Sequence, residues 1–213
     1  MTASTEMPDD ALFERATNGD EEALALLFTR YRPRLERMAA LRLDRRLLGR
    51  VDPADVVQEA YLEVRSRFAA YVRESSVPFF LWLRLVAGQK LTDVHRHHLG
   101  TKMRDAGQEV SLYRDALPEA SSASLVAQIL GRLTTGSEAA VRAERKLYVQ
   151  EALNAMDPID REVLVLRHFE QLSNDETAIT LGLRKSAASQ RYMRALKRLK
   201  EILSAIPGLG DDL

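Results

Sequence analysis

The clearest chemical signal in this 213-residue chain is a cationic stretch near its end. Between Arg184 and Lys200 there are seven basic side chains and no acid, whereas the stretch from Glu151 to Glu176 has seven acids and only two arginines. The whole chain is formally neutral, with 31 Lys+Arg and 31 Asp+Glu. Because the positive charge is concentrated on one short segment, that segment is expected to bind a polyanion such as nucleic acid.

Helical spacing divides the cationic stretch into an inward apolar face and an outward polar face. The inward face comprises Ala188, Tyr192, Ala195 and Leu199. The outward face comprises Ser186, Ser189, Gln190, Met193, Arg194 and Lys197. Serine and glutamine near a helix start can reach base edges in the major groove, and arginines suit phosphates. The alternative is a C-terminal helix whose basic face is simply solvated.

A second candidate site surrounds the only tryptophan. Trp82 shares one face of a helix predicted over residues 77–99 with Gln89, Asp93 and Arg96. An aromatic ring beside hydrogen-bonding and cationic groups is suited to stacking unpaired bases, each worth about 1–3 kcal/mol. Taken alone, a single tryptophan also fits a core position.

Cysteine and histidine content argues against metal and thiol chemistry. The chain has no cysteine, which excludes a disulfide scaffold, thiolate metal sites and a cysteine nucleophile. His95, His97 and His98 have no carboxylate at regular ligand spacing. We expect them to extend the basic surface with Arg96, Lys102 and Arg104, and we expect no metal and no cofactor.

Carboxylates give no catalytic cluster either. Asp52 and Asp55 are the nearest pair, and they fit a helix cap and a surface position better than a nuclease site. The polar, acidic first ten residues do not resemble a signal peptide, and no uncharged apolar run reaches membrane-spanning length. We therefore expect a cytoplasmic protein without enzymatic activity or membrane insertion.

Apolar residues recur at helical spacing along most of the chain, which predicts an all-α fold. The predicted helices, with a kink at Pro33, span 9–18, 20–47, 53–72, 77–99, 137–156, 158–168, 173–181 and 184–204. Asp52-Pro53 and Asp157-Pro158 are helix starts, and Ser173 with Glu176 is a capping box. Gly182 suits the left-handed turn of a helix-turn-helix.

A Gly-, Pro- and Ser-rich segment separates two helical modules. The predicted organisation is a first domain over 9–100, a flexible linker over 101–136 with a short apolar stretch at 125–133, and a second domain over 137–205. In the first domain, the helix opened by Asp52 has a predicted buried stripe that comprises Val57, Ala60, Tyr61, Val64 and Phe68. Its exposed side comprises Asp55, Gln58, Glu59 and Leu62, a mixed surface suited either to docking a partner helix or only to solvent.

These two modules, in this order, resemble the sigma-70 family of bacterial RNA polymerase initiation factors. More narrowly, they resemble the extracytoplasmic-function (ECF) group, which keeps sigma regions 2 and 4. Three stretches carry the resemblance: 55–59, 82–96 and 157–199. The Ser/Thr-bearing linker is similar to that of planctomycete-type ECF factors.

The resemblance implies a function and partners. The protein would bind the β and β′ subunits of core RNA polymerase, recognise the −35 promoter element, melt the −10 element, and be bound by an anti-sigma factor. The implied polymerase contacts are Asp55, Val56, Gln58, Glu59 and Leu62. The implied −10 contacts are Trp82, Gln89, Lys90, Asp93 and Arg96. The implied −35 contacts are Arg184, Lys185, Ser186, Ser189, Gln190, Arg191, Met193 and Arg194, with Arg191 and Arg194 nearer phosphates.

Two positions depart from the family pattern. Gln89 stands where the family usually has Asn, and Ala187-Ala188-Ser189 stands where it often has Thr-Val-basic. Promoter preference therefore does not transfer from the family. The alternative function is a stand-alone helix-turn-helix regulator, which would bind duplex DNA tightly without polymerase.

Overall fold

The computed structural model of the protein describes residues 7–100, 117–118, 120, 122–133 and 139–204. All regular structure in these ranges is helical, which confirms the predicted all-α fold class. The chain divides into two compact units, Met1–Ala106 and Gly107–Leu213. Each unit has its own helices and its own buried apolar residues.

Four α-helices make up most of the N-terminal unit as described. They are α1 (Asp9–Thr17), α2 (Glu21–Arg42), α3 (Pro53–Glu74) and α4 (Phe79–Leu99), and Pro33 lies inside α2. The helix predicted over 20–47 ends early, because Leu43 takes an extended backbone conformation. A separate 3-10 turn, Arg45–Leu47, follows, and the carboxylate of Asp44 caps it by accepting the backbone N–H of Arg46 at 2.9 Å.

α3 begins at the predicted Asp52-Pro53 pair. The Asp52 carboxylate accepts the backbone N–H of Ala54 at 2.9 Å, and Pro53 occupies the first turn, where its missing N–H removes no helical hydrogen bond. Tyr61 is half-buried, with its ring 4.7 Å from that of Phe28. The rest of the predicted stripe is buried: Val57, Ala60, Val64 and Phe68.

Aromatic side chains join α1, α3 and the start of α4. Ring centroids 4.3–6.4 Å apart connect Phe13, Phe68, Tyr71, Phe79 and Trp82. The Tyr71 hydroxyl donates to the carbonyl of Val77 at 2.7 Å, which fixes the loop between α3 and α4. Aromatic pairs contribute about 0.5–1.5 kcal/mol each beyond their burial, so this cluster holds α4 firmly against α3.

The C-terminal unit, as described, contains five further α-helices and a π-helical turn. They are α5 (Ser122–Leu133), α6 (Ala139–Asn154), α7 (Pro158–Leu164), α8 (Asn174–Leu181) and α9 (Lys185–Ser204), with the π-helical turn at Val165–Phe169. Asp157 caps α7 by accepting the backbone N–H groups of Ile159 and Asp160 at 2.9 and 3.1 Å. The cap that the sequence predicted is therefore present.

Part of the predicted linker is helical. α5 packs against α6, and the Ser122 hydroxyl donates to the side-chain oxygen of Asn154. Leu125 and Val126 of the short apolar stretch are buried, which explains why this stretch forms a helix rather than a solvated connection. The predicted linker residues 101–116 and 134–136, including Lys102 and Arg104, lie outside the described residues.

Candidate nucleic-acid and polymerase interfaces

α8 and α9 meet at a turn that is fixed by local hydrogen bonds. The predicted capping box is formed: the Ser173 hydroxyl accepts the Glu176 N–H at 3.1 Å, and the Glu176 carboxylate accepts the Ser173 N–H at 2.7 Å. Gly182 has a φ of +62°, a left-handed conformation that glycine adopts without steric cost. The N–H of Leu183 donates to the carbonyl of Ala178 at 2.9 Å, so α9 leaves the turn in a defined direction.

Polar contacts across this turn hold the start of α9. The Asn174 amide donates to the carbonyl of Lys185 at 2.9 Å, and the Lys185 ammonium lies 2.6 Å from the Asp175 carboxylate. Both charged side chains are well exposed, at 71% and 55%, so this ion pair contributes only about 0–1 kcal/mol. Lys185 therefore stays available to an external anion, as does the exposed Arg184.

The outward face of α9 is exposed, in agreement with the predicted pattern. Met193 is 62% exposed and the Arg194 side chain 64%. The other exposed members are Ser186, Ser189, Gln190 and Lys197. Beneath them, Ala188, Ala195 and Leu199 are buried, and Tyr192 lies under the Arg167 guanidinium at 5.0 Å. A helix that presents small polar and cationic side chains from a rigid support has the geometry of a major-groove reader.

Arg191, which is predicted to lie near phosphates, pairs with carboxylates of its own unit. Its guanidinium lies 2.6 Å from Oδ1 of Asp160 and 3.3 Å from Oδ1 of Asp157. Arg191 is three residues after Ala188 and four before Ala195, both buried, so it shares their inward stripe. That spacing is visible in the sequence, whereas the prediction of a phosphate contact came from the family resemblance.

The exposed side of α3 carries four of the five predicted docking residues. These are Asp55, Gln58, Glu59 and Leu62. Leu62 is 62% exposed, which places a large apolar side chain among two carboxylates and an amide. The surface is therefore acidic with an apolar contact point, a combination suited to a partner that is basic and partly apolar.

Val56 is corrected: it does not belong to that surface. It is 2% exposed and packs with Leu43, Leu47 and Leu91 in a core cluster. The segment between α2 and α3 supplies Leu43 and Leu47 to this cluster and covers the first turn of α3, so Val56 points inward although its neighbour Asp55 is exposed. Val56 therefore supports the exposed surface from below and cannot contact a partner directly.

Side chains of α3 contact Gln89 and Lys90 on α4. The guanidinium of Arg67 donates to Oε1 of Gln89 at 3.3 Å. Glu63 pairs with Arg67 and also lies 3.5 Å from the ammonium of Lys90. Neither Glu63 nor Arg67 was predicted as a site residue. The only signal for them was an acid and a base four residues apart on α3, which does not reveal their contact with α4.

Trp82 lies near the start of α4 and is half-buried. Its ring stacks on Tyr71 with centroids 4.3 Å apart and planes 19° apart, so protein covers one face of the indole. Asp93 and Arg96 are exposed on later turns of α4, and the Arg96 guanidinium lies 3.7 Å from the Asp93 carboxylate. Trp82 therefore belongs to the aromatic cluster and also borders solvent.

The prediction that His95 extends the basic surface is wrong. His95 is buried, and its Nε2 accepts the backbone N–H of Asp44 at 3.1 Å. Burial lowers the pKa of His95, the nearby Asp44 carboxylate opposes that shift and Arg46 adds to it. His95 therefore acts as a neutral structural link. Of the three histidines near this helix end, only His97 and His98 are exposed.

The described residues offer no metal site and no membrane span. In the part of the chain that the structure describes, no three histidine, aspartate or glutamate side chains come together as a set that could hold a metal ion. Among the described helices, none combines the length and apolar character needed to span a membrane.

The helix-turn-helix matches a known family model. The model described as sigma-70, region 4, matches residues 146–199, a range that includes α7, the π-helical turn, α8 and most of α9. The match therefore contains the capped turn and the exposed face of α9.

Two bacterial sigma factors are similar to this chain over both units. The ECF RNA polymerase sigma factor SigD of Mycobacterium tuberculosis (strain ATCC 25618 / H37Rv) is 29% identical over 196 residues, which cover 92% of this chain and 84% of that protein. The RNA polymerase sigma factor CarQ of Myxococcus xanthus is 25% identical over 193 residues, covering 91% and 96%. The chain is thus similar to ECF sigma factors over both units, and its residues 146–199 match the sigma-70 region 4 family.

A solved structure has the same fold as this chain. CnrH, solved in complex with the cytosolic domain of CnrY, superposes with a TM-score of 0.53 at 23% identity, covering 92% of this chain and 97% of CnrH. The resemblance to planctomycete-type ECF factors stays a prediction.

Proposed function

We propose that this chain is a sigma factor that binds core RNA polymerase and directs promoter-specific transcription initiation. In this proposal residues 137–205 recognise the −35 element and residues 9–100 melt the −10 element. The segment 101–136, which includes α5, connects them. The observation that carries this proposal is the exposed face of α9 on a capped helix-turn-helix, in a chain similar to ECF sigma factors over both units. The protein then performs no catalytic step and needs no cofactor. It acts in the cytoplasm, where its polymerase partner is.

In the proposed −35 contact, α9 lies in the major groove. The exposed base-reading positions are Ser189, Gln190 and Met193. A glutamine can pair with an adenine edge in a bidentate way, and the apolar Met193 side chain can contact a thymine methyl group. The proposed phosphate and groove-edge contacts are Arg184, Lys185, Ser186 and Arg194.

In the proposed polymerase contact, the acidic side of α3 binds a helical element of β′, while the C-terminal domain rests on β. Support comes from the exposure of Asp55, Gln58, Glu59 and Leu62. The exposed leucine supplies apolar contact area, and the two carboxylates supply charge complementarity, which selects and orients a basic partner.

In the proposed −10 contact, Trp82, Gln89, Lys90, Asp93 and Arg96 hold the opened strand. A guanidinium has only hydrogen-bond donors, so the atom of Gln89 that faces Arg67 must be the amide oxygen. The amide NH₂ group of Gln89 is thereby left to donate to a base. Captured bases would offset the unstacking cost of a few kcal/mol per step, so the DNA opens without ATP hydrolysis.

An anti-sigma factor is the remaining proposed partner. Support comes from CnrH, whose structure was solved with the cytosolic domain of a second protein bound. A protein that covers the acidic side of α3 or the exposed face of α9 would prevent the contacts proposed above.

The test is in vitro transcription with core RNA polymerase on a genomic DNA library, with and without this protein. The expected result is a set of new RNA 5′ ends that share −35 and −10 sequences. Unchanged initiation in the presence of the protein would contradict the proposal. Tight duplex binding by the protein alone, with no promoter-dependent RNA, would instead support a stand-alone helix-turn-helix regulator.

A further inference from the structure

Arg191 differs from other basic residues of α9 in its exposure. Its side chain is 26% exposed, whereas those of Arg194, Lys185 and Arg198 are 64%, 71% and 57% exposed. The difference follows from the helical register, since Arg191 lies in the same stripe as the buried Ala188. Arg191 is thus an inward residue on a helix whose other arginines point to solvent.

The partners of Arg191 are themselves held in place. Asp160 is only 15% exposed at its side chain, and its Oδ1 lies 2.6 Å from the guanidinium. The Oδ1 of Asp157, 3.3 Å away, also accepts two backbone N–H groups at the start of α7. These hydrogen bonds, together with the charge of Arg191, lower the pKa of Asp157, so it stays ionised at neutral pH. Arg191 therefore binds a rigid acidic pair.

This acidic pair makes Arg191 a poor ligand for DNA phosphate. A phosphate that approached the guanidinium would also approach the two carboxylates that lie within 3.3 Å of that guanidinium, and these like charges would repel it. The charge of Arg191 is already balanced within the protein. The exposed Arg194, 3.7 Å from Asp160, keeps most of its surface free for an external anion.

We propose that Arg191 is a positioning residue, which fastens α9 to the start of α7 and sets the angle at which Ser189 and Gln190 meet the DNA. This inference rests on the proposed function, because that function makes α9 the reader of the −35 element. It reassigns Arg191 from phosphate contact to support of the helix. Truncation of Arg191 then loosens base reading without removing a phosphate contact.

Replacement of Asp160 distinguishes the positioning role from a phosphate contact that Asp160 masks, because the two roles predict opposite changes in duplex affinity. In the positioning role, Asp160→Ala weakens duplex binding about fivefold, because the support of α9 is lost. If Asp160 only masked a phosphate-binding Arg191, the same change would strengthen binding and overturn the proposal. The matched control is Asp175→Ala, which also removes one negative charge and releases the exposed Lys185, so it is expected to strengthen binding slightly.

Salt dependence gives a second, independent readout. Binding of the full chain to a fluorescent DNA duplex, whose sequence the wild-type chain enriches from a random pool, is measured over a range of salt concentrations. Arg191→Gln is expected to weaken binding with the salt slope unchanged, whereas Arg194→Ala lowers the slope by about one unit. A slope lowered equally by both changes would overturn the proposal. If the wild-type chain, added to core RNA polymerase, neither binds a promoter duplex nor changes RNA initiation, the proposed function fails instead, and the thermal measurements below still test the role of Arg191.

A double-mutant cycle tests the contact without DNA. The midpoint of thermal unfolding is measured for the full-length wild type, Arg191→Gln, Asp160→Ala and the double variant. The positioning role requires that the two changes are non-additive, because each removes the same contact. Additive shifts would show that Arg191 and Asp160 do not support each other and would overturn the proposal even if the chain bound no DNA.

Discussion

The two units hold their candidate nucleic-acid residues in different ways. In the C-terminal unit, Ser189 and Gln190 stand exposed on a helix that is supported from the opposite side. In the N-terminal unit, side chains of α3 contact the candidate residues of α4: Arg67 donates to Gln89, and Tyr71 stacks on Trp82. One unit fixes the helix and leaves its outer face free, whereas the other fixes the outer side chains themselves.

This difference fits the two forms of DNA that the proposed function requires. Duplex DNA offers a regular groove, so a rigid helix in the right place can read it with short side chains. An opened strand offers bases one at a time, after they have been unstacked. Side chains that are already ordered lose little conformational entropy when they capture such bases, so more of the contact energy remains to offset unstacking.

The largest expected effect tests whether the N-terminal unit also carries the polymerase contact. Asp55→Arg puts a cation on the acidic side of α3 and is expected to reduce association with core polymerase about 100-fold, because like charges then face each other across the contact. Co-purification with core enzyme measures this loss. Glu74→Arg, on another side of the same helix, is the control. Normal co-purification of the Asp55 variant would move the docking surface elsewhere.

The second effect separates opening from duplex binding. Trp82→Ala is expected to reduce promoter opening about 10-fold, the equivalent of one lost base stack of 1–3 kcal/mol, while initial duplex binding changes less. Permanganate reactivity of promoter thymines measures opening. Trp82→Phe keeps an aromatic ring against Tyr71 and serves as the control for folding. Equal losses in opening and in duplex binding would contradict the assignment of Trp82 to the opened strand.

The third effect concerns base reading by α9. Gln190→Ala is expected to relax the preference at one position of the −35 element by about 1–3 kcal/mol, the value of one bidentate contact. Competition between duplexes that differ at single base pairs measures the preference. Ser204→Ala, also exposed but at the far end of α9, is expected to leave it unchanged. An unaltered preference in the Gln190 variant would refute the proposed orientation of α9.

The fourth effect is uniform across sequences. Arg194→Ala is expected to weaken binding to every duplex alike and to lower the salt slope by about one unit, because one phosphate contact is lost. Titrations at several salt concentrations give the slope. Arg198→Ala, whose side chain pairs with Glu201 at 3.2 Å, is the comparison. A change in sequence preference on mutation of Arg194 would assign it to base reading instead.

The smallest expected effect is a dependence of the stability of the N-terminal unit on pH. Because burial lowers the pKa of His95, the unfolded chain binds its proton more readily than the folded chain. Stability from this group is complete above its ordinary pKa of 6.5 and declines as the pH falls through that value toward the folded pKa. Thermal unfolding at pH 7.5 and pH 5.5 measures the decline. His95→Gln keeps an acceptor for the Asp44 N–H but does not titrate, so its pH dependence is expected to be smaller.

Local signals predicted much of the fold. Asp52, Asp157 and the Ser173–Glu176 box start their helices as expected, and Gly182 adopts the left-handed turn. Each of these features depends on residues within a few positions of one another, and such short-range interactions can be recognised in a single sequence. Helical periodicity likewise predicted the buried stripes of α3 and α9, because burial of one face follows from spacing.

Contacts between distant parts of the chain decided the rest. Val56 is buried because Leu43 and Leu91 meet it, and His95 because it reaches Asp44, 51 residues away. Arg191 turns inward toward Asp160, 31 residues away.

In each case the charge or the neighbours of the residue indicated exposure, while packing between helices determined its direction. By itself the sequence determined most of the helices and their main apolar faces, whereas α5, inside the predicted linker, was recognised only from its packing against α6. Only the tertiary structure decided which polar side chains serve the protein interior and which remain for a partner, because their partners come from helices far away in the chain.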